Sequence, residues 1–277
     1  MTATLLKLLG LLAAGYIALV GLMAASQTTL LFPRWAVAPE PPLPSGAEEL
    51  RLARPDGVEL VGLRLPAPEA EPGAPPILGF GGNAWNAADM ALYLQRHLPG
   101  HEVVAFHFRG YGPSTGRPSA TALAEDAVAI HDALFATRSA GGPPPLLAGF
   151  SIGSGPAAAL AAARPVAGVL LVTPFESLTE LARQHHPWAP VRLLLRHRME
   201  VAEDLSASPA PVAIIAAERD GVVFPARTEA LRAALDGTSP GLVFDRTLPA
   251  GHNDLYAHPA MGPTLAEAME RLRAEAQ

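Results

Sequence analysis

The chain has 277 residues, 49% of them hydrophobic and 17% charged, with a formal net charge of −6. This is enough for one substantial core with an appendage, and the negative charge gives no sign of a nucleic-acid partner. There is no cysteine, which excludes disulfides, thiolate metal sites, a cysteine nucleophile and a lipidated cysteine.

From Leu8 to Ser26 the run LLGLLAAGYIALVGLMAAS carries no charge, and the next charged residue is Arg34. A helix of about 19 residues crosses a hydrocarbon core of about 30 Å. Lys7 precedes the run, so the positive-inside tendency puts the N-terminus in the cytoplasm and the remainder on the other side. Residues 1–30 therefore read as a retained membrane anchor. Cleavage at the small residues Ala24–Ser26, which would leave a secreted protein, and a buried core helix are the alternatives. Residues 31–47, rich in Pro and Ala, read as an extended linker.

Residues 48–277 read as one domain. GVELVGLRLPA, Gly57–Ala67, alternates like a strand of an antiparallel pair. PPILGFGG, EVVAFHF, PPLLAGF, VAGVLLVTP, PVAIIAAE and LVFDRTL read as further strands, most of them continuous apolar runs of the kind a buried parallel sheet needs. Between and after them, NAADMALYLQRHL, TALAEDAVAIHDALFATR, GPAAALAAAR, PARTEALRAAL and HPAMGPTLAEAMERLRAEA read as helices. The alternation predicts an α/β fold with a mostly parallel sheet covered on both faces.

In this rhythm Gly149-Phe150-Ser151-Ile152-Gly153 falls directly after a strand and directly before a helix. A strand–turn–helix of this kind lifts a serine above the sheet, whereas an ordinary βα turn with a serine cap is the plainer reading. A serine hydroxyl needs a base, and the base needs an orienting acid. Asp220 follows the strand PVAIIAAE, with Glu218 as the alternative acid, and His252 follows the strand LVFDRTL. His97, His101 and His131 fall on or near helices and read as surface residues. Two amide donors are needed for a developing oxyanion: the N–H of Ile152, and that of Asn83 in GGNAWN, with Ala84 as the near alternative.

Four stretches resemble the α/β-hydrolase superfamily, most closely its serine-aminopeptidase-like branch with the bud-emergence-type and membrane-associated depalmitoylating hydrolases. GFGGNAWN is similar to that branch's H-G-N-A-x-N loop, FRGYGPSTGRPS to its D-Y-R-G-Y-G-x-S-x-G-x-P-S segment, GFSIGSG to its nucleophile elbow and GHNDL to its histidine loop. The resemblance implies a Ser151, Asp220 and His252 triad that cleaves esters, thioesters or amides through an acyl-enzyme, with no cofactor. Gly81 and His107 stand where the branch carries a histidine and an aspartate. The Gly81 departure bears on how the oxyanion loop is braced. Arg109 in FRGYG reads as a tie between loops, with a substrate role as the alternative.

Residues 175–210 read either as a short lid or as a crossover packed on the sheet. As a lid they would bring Trp188 and Leu194 to a substrate pocket that also holds Trp85 and Phe150. The expectation is thus a membrane-anchored hydrolase acting on a small-molecule or acylated substrate. A serine peptidase of the same fold and a non-catalytic binding protein at the membrane are the alternatives.

Overall fold

In the computed structural model, which describes residues 2–135, 142–239 and 241–275, eight strands form a single sheet. They are β1 Glu48–Ala53, β2 Glu59–Leu65, β3 Ile77–Phe80, β4 Val103–Phe106, β5 Leu146–Phe150, β6 Gly168–Val172, β7 Val212–Ala217 and β8 Leu242–Leu248. Their order is β1-β2-β4-β3-β5-β6-β7-β8. The pairs β1–β2 and β2–β4 are antiparallel and the remaining pairs are parallel.

The apolar runs explain the parallel part. Successive side chains point to opposite faces, so a strand covered on both faces must be apolar throughout. Leu147, Val169, Leu171, Val212 and Ile214 enter one core layer. Leu146, Phe150, Leu170, Val172, Ala213 and Ile215 enter the other. The first layer is closed by α3 (Ala120–Leu134), α4 (Ser154–Ala163), α7 (Val201–Ser206) and α8 (Pro225–Leu235). The second is closed by α2 (Ala87–His97) and α9 (Met261–Glu275). Side-chain caps start several helices: Asn86 accepts from the Ala88 amide, and Ser119 from the Ala122 amide.

The strands and helices read from the sequence are present, most of them a few residues shorter than the quoted stretches. Residues 136–138, at the end of the predicted helix TALAEDAVAIHDALFATR, lie outside the described residues, as does Ala276 at the end of the last predicted helix. β1 is an addition to the sequence reading. Its EELRLA pattern is mostly exposed, as an edge strand allows, and it carries the weak periodicity of a segment that buries one residue, Leu50. His101 and His131 correct their reading as surface residues, since both are buried. His101 Nδ1 lies 2.7 Å from the Pro75 carbonyl oxygen, which satisfies it in place of water.

The N-terminal helix α1, Thr2–Leu31, is long and apolar enough to cross a membrane and is largely exposed. Phe32, directly after it, is 2% exposed and packs edge-on against His197. The segment that follows is pinned rather than free. Glu40 pairs with His107 Nε2 at 2.7 Å, and Asn86 Nδ2 donates to the Ala38 carbonyl.

Arg109 ties loops together. Its guanidinium holds both oxygens of Asp126 and also reaches Asp56, while Arg54 holds Asp126 from another side. Removing one member of a buried ion pair leaves charge uncompensated, at a cost of about 3 kcal/mol or more. Asp126→Ala is therefore expected to lower the thermal midpoint of the detergent-solubilised protein clearly. Glu229→Ala, which removes an exposed pair with Arg232, is expected to leave it almost unchanged.

Candidate active site

The parallel strands all deliver their C-terminal ends to one edge of the sheet, where α/β folds place ligands. β5 ends at Phe150, and Ser151 opens a 3₁₀ turn, Ser151–Gly153, that leads into α4. Ser151 has φ +51°, a strained conformation for a residue with a side chain. The packing around the turn imposes it. A methyl group at Gly153 would overlap the carbonyl oxygens of Phe80 and Gly81, and one at Gly149 would sit 2.9 Å from the Gly153 oxygen. The two glycines let β3, β5 and α4 close to within backbone contact, which leaves the Ser151 side chain at the top of the sheet.

β7 and β8 are neighbours, so the loops that follow them are also neighbours. The amides of Glu218 and Arg219 donate to the carbonyls of Leu248 and Ala250. This brings Asp220 beside His252. Asp220 Oδ2 lies 2.7 Å from His252 Nδ1, and Oδ1 accepts from the amides of Val222 and Val223 at 2.8 and 2.7 Å. Three hydrogen bonds therefore fix the carboxylate, which is 3% exposed, and through it the imidazole ring. With the Nδ1 proton on the Asp220 side, Nε2 is left as the acceptor. Glu218, the alternative acid, is exposed and pairs with Arg219.

Ser151 and His252 share the wall of one cavity of about 560 Å³. Gly82, Asn83, Ala84 and Trp85 form another part of it, and Val222, Asn253 and Tyr256 complete it. The loop at residues 82–85 is a tight turn in which the Trp85 amide donates to the Gly82 carbonyl and Ala84 takes φ +58°. Tyr111 Oη donates to Asn83 Oδ1 at 3.4 Å. The RGYG segment thus reaches the loop that follows Gly81. Ile152 follows the serine inside the 3₁₀ turn and is buried.

The four residues expected at a substrate pocket separate. Trp85 lines the cavity. Phe150 lies beneath it, fully buried against Trp85 and Tyr93. Trp188 and Leu194 are elsewhere. Trp188 packs edge-on against Tyr16 of α1, and Leu194 lines a second cavity, of about 210 Å³, between α1 and the crossover segment. That segment holds α5 (Leu178–His185) and α6 (Val191–Leu194), and Leu181, Val191 and Leu194 from it line the cavity with Val20, Met23 and Leu31 of α1. Its last helix, α7, is an ordinary core element with Val201 and Leu205 buried.

Tyr256 was not singled out from the sequence. It lies four residues past His252, in a 3₁₀ turn Asp254–Ala257, and packs against Trp85 with ring centroids 5.1 Å apart. Burial pushes its phenol up to about 12, and the Asp220 carboxylate adds to the rise. A neutral hydroxyl at the cavity wall, 3.5 Å from Thr173 Oγ1, is the result. An aromatic residue one turn after the histidine was the available signal.

Comparison with known proteins agrees with this architecture. A model of the alpha/beta hydrolase fold family matches residues 77–201. The uncharacterized protein Rv2307c of Mycobacterium tuberculosis is 34% identical over 220 residues, 77% of each chain. The lysophosphatidylserine lipase ABHD12 of Gallus gallus is 34% identical over 119 residues, 40% of this chain and 31% of that one. Among solved structures, a membrane phospholipase A described as a bacterial virulence factor superposes with a TM-score of 0.60. It is 20% identical, and the match covers 99% of both chains. The chain belongs to the α/β-hydrolase superfamily.

Proposed function

We propose that this protein is a membrane-anchored serine hydrolase that cleaves carboxylic esters or thioesters through an acyl-enzyme. One observation carries the reading. A serine held at φ +51° shares a cavity with a histidine whose far nitrogen is fixed by a buried carboxylate at 2.7 Å. Backbone strain of this kind persists only where the surrounding packing enforces it, and it clusters at functional sites, which supports the reading.

In the proposed reaction His252 Nε2 takes the proton of Ser151 Oγ as the oxygen attacks the carbonyl carbon. The carbonyl oxygen becomes an oxyanion, stabilised by the amides of Ile152 and Asn83. His252 returns the proton to the leaving alkoxide or thiolate as the bond to the carbonyl carbon breaks. Water, deprotonated by His252, then attacks the acyl-enzyme, and the Ser151–acyl bond breaks to release the acid and regenerate the serine. Asp220 keeps the imidazole oriented and stabilises its charged form.

A lipid-derived or otherwise acylated substrate is supported by the apolar α1 and by the two lipid-hydrolysing relatives in the comparison. The catalytic domain would lie on the side of the membrane opposite the Lys7 end. The test uses the full chain in detergent micelles with p-nitrophenyl esters of increasing chain length. Hydrolysis is expected, with a rapid first release of p-nitrophenol stoichiometric with enzyme wherever deacylation is slower than acylation. Inertness toward every ester and thioester offered would overturn the reading.

A further inference from the structure

The helix α1 has 30 residues, about 45 Å at 1.5 Å per residue, whereas a membrane span takes about 20 residues. Its contacts with the crossover segment begin early. Tyr16 Oη donates to the Trp188 carbonyl at 2.9 Å, and the two rings meet edge-on at 6.3 Å. Farther along, Arg196 Nη2 donates to the Ala24 carbonyl at 3.3 Å and Gln27 Nε2 to the Leu194 carbonyl at 3.1 Å. The Arg196 amide donates to Gln27 Oε1 at 2.7 Å, and Thr28 Oγ1 lies 2.7 Å from His197 Nε2. The shared length, Tyr16 to Thr28, leaves too little of α1 to cross a bilayer by itself. A span of about 20 residues that started as early as Thr2 would end near Gly21, beyond Tyr16. Trp188, held at the level of Tyr16, is then inside the outer layer of the same bilayer.

The exposed side chains of that segment fit this position. Leu193 is 85% exposed, Trp188 44% and Leu194 38%, and Leu19 and Leu22 of α1 are exposed as well. A patch of this kind marks an interaction surface, and a tryptophan beside leucines suits the boundary between headgroups and acyl chains. The charge fits as well. From Arg183 to Arg198 the chain carries four arginines and neither Asp nor Glu, against a net charge of −6 for the whole. Arg183 and Arg192 pair with Glu180. The exposed Arg196 and Arg198 donate to the carbonyls of Ala24 and Arg192, and among the described residues neither has a carboxylate partner.

We propose that residues 186–198, with α6 at their centre, form a second membrane contact that inserts Trp188, Leu193 and Leu194 beside α1 and sets Arg196 and Arg198 against anionic headgroups. The segment is a monotopic element on a chain already anchored by α1. Its consequence for the site is geometric. The cavity between α1 and α5–α6, lined by Val20, Met23, Leu181 and Leu194 among others, then opens at the lipid surface. His185, on its wall, lies with Nε2 2.8 Å from the carbonyl oxygen of Val222, which lines the Ser151 cavity. The placement rests on α1 spanning the bilayer and not on the catalytic reading, so a test that needs no turnover separates the two.

The absence of native cysteine makes that test direct. Leu193→Cys, at a side chain that contributes almost nothing to packing, is labelled with a nitroxide in the full chain. The protein is placed in nanodiscs of phosphatidylcholine and phosphatidylglycerol, and collision with oxygen and with a water-soluble nickel chelate is measured by electron paramagnetic resonance. Gly10→Cys in α1 and Arg271→Cys on the exposed side of α9 are the lipid and water references. The Leu193 label is expected to show an oxygen-to-nickel ratio severalfold above that of the Arg271 label and below that of the deeper Gly10 label. A ratio matching the Arg271 label would overturn the proposal by placing the segment in water. Shielding from both reagents would overturn it by placing the segment against protein, such as a second copy of this chain.

Discussion

Ser151→Ala is expected to lower kcat for ester hydrolysis by about 10⁴-fold or more, with KM changed little. The Oγ forms the covalent bond in the proposed reaction, and no other group at the cavity can replace it. Its neighbours His252 and Tyr256 are held by Asp220 and by the aromatic cluster. The remaining catalysis would come from substrate positioning and from the amides of Ile152 and Asn83, which the substitution leaves in place. Alanine also meets the same backbone strain at φ +51°, so the protein should fold with nearly unchanged stability. A kcat within tenfold of wild type would mean that the attacking group lies elsewhere.

Asp220→Asn is expected to lower kcat by about 10⁴-fold at neutral pH through a different route. The amide oxygen can still accept from the Val222 and Val223 amides, so the loop keeps its shape. The side-chain nitrogen then faces His252 Nδ1, where the carboxylate stood 2.7 Å away. Two donors cannot share that position. His252 must turn its acceptor nitrogen toward the new amide N–H and its proton toward Ser151, which is the wrong tautomer for a base. The charge that would stabilise an imidazolium is lost as well. Glu218→Gln is expected to have little effect, because that carboxylate is exposed and paired with Arg219. Kinetics of the two variants with one p-nitrophenyl ester decide between the acids.

The parts of the fold set by local pattern were legible in the sequence. Runs such as LLAGF and VAIIAA are apolar at every position, and the sheet buries both faces of each. The positions of Ser151, Asp220 and His252 at strand ends followed from chain order, and the structure brings the latter two into contact while setting all three around the sheet's C-terminal edge. β1 was harder to see, because a one-sided edge strand needs only Leu50 to be buried. The contacts of Trp188 and Leu194 were not legible at all. Their partners, Tyr16 and Gln27, are more than 160 residues away in the chain, and periodicity cannot distinguish a lid over a serine from a segment leaning on the N-terminal helix. Tyr256 was missed for a related reason. Its place at the cavity depends on how a 3₁₀ turn directs one side chain toward Trp85.

Whether Ser151 is an activated nucleophile is decided by treating the full-length protein with a fluorophosphonate and locating the adduct by mass spectrometry. One adduct per chain is expected, on Ser151, formed rapidly by wild type, slowly by Asp220→Asn and not by Ser151→Ala. An unlabelled wild type, or equal labelling of Ser151→Ala, would contradict the assignment.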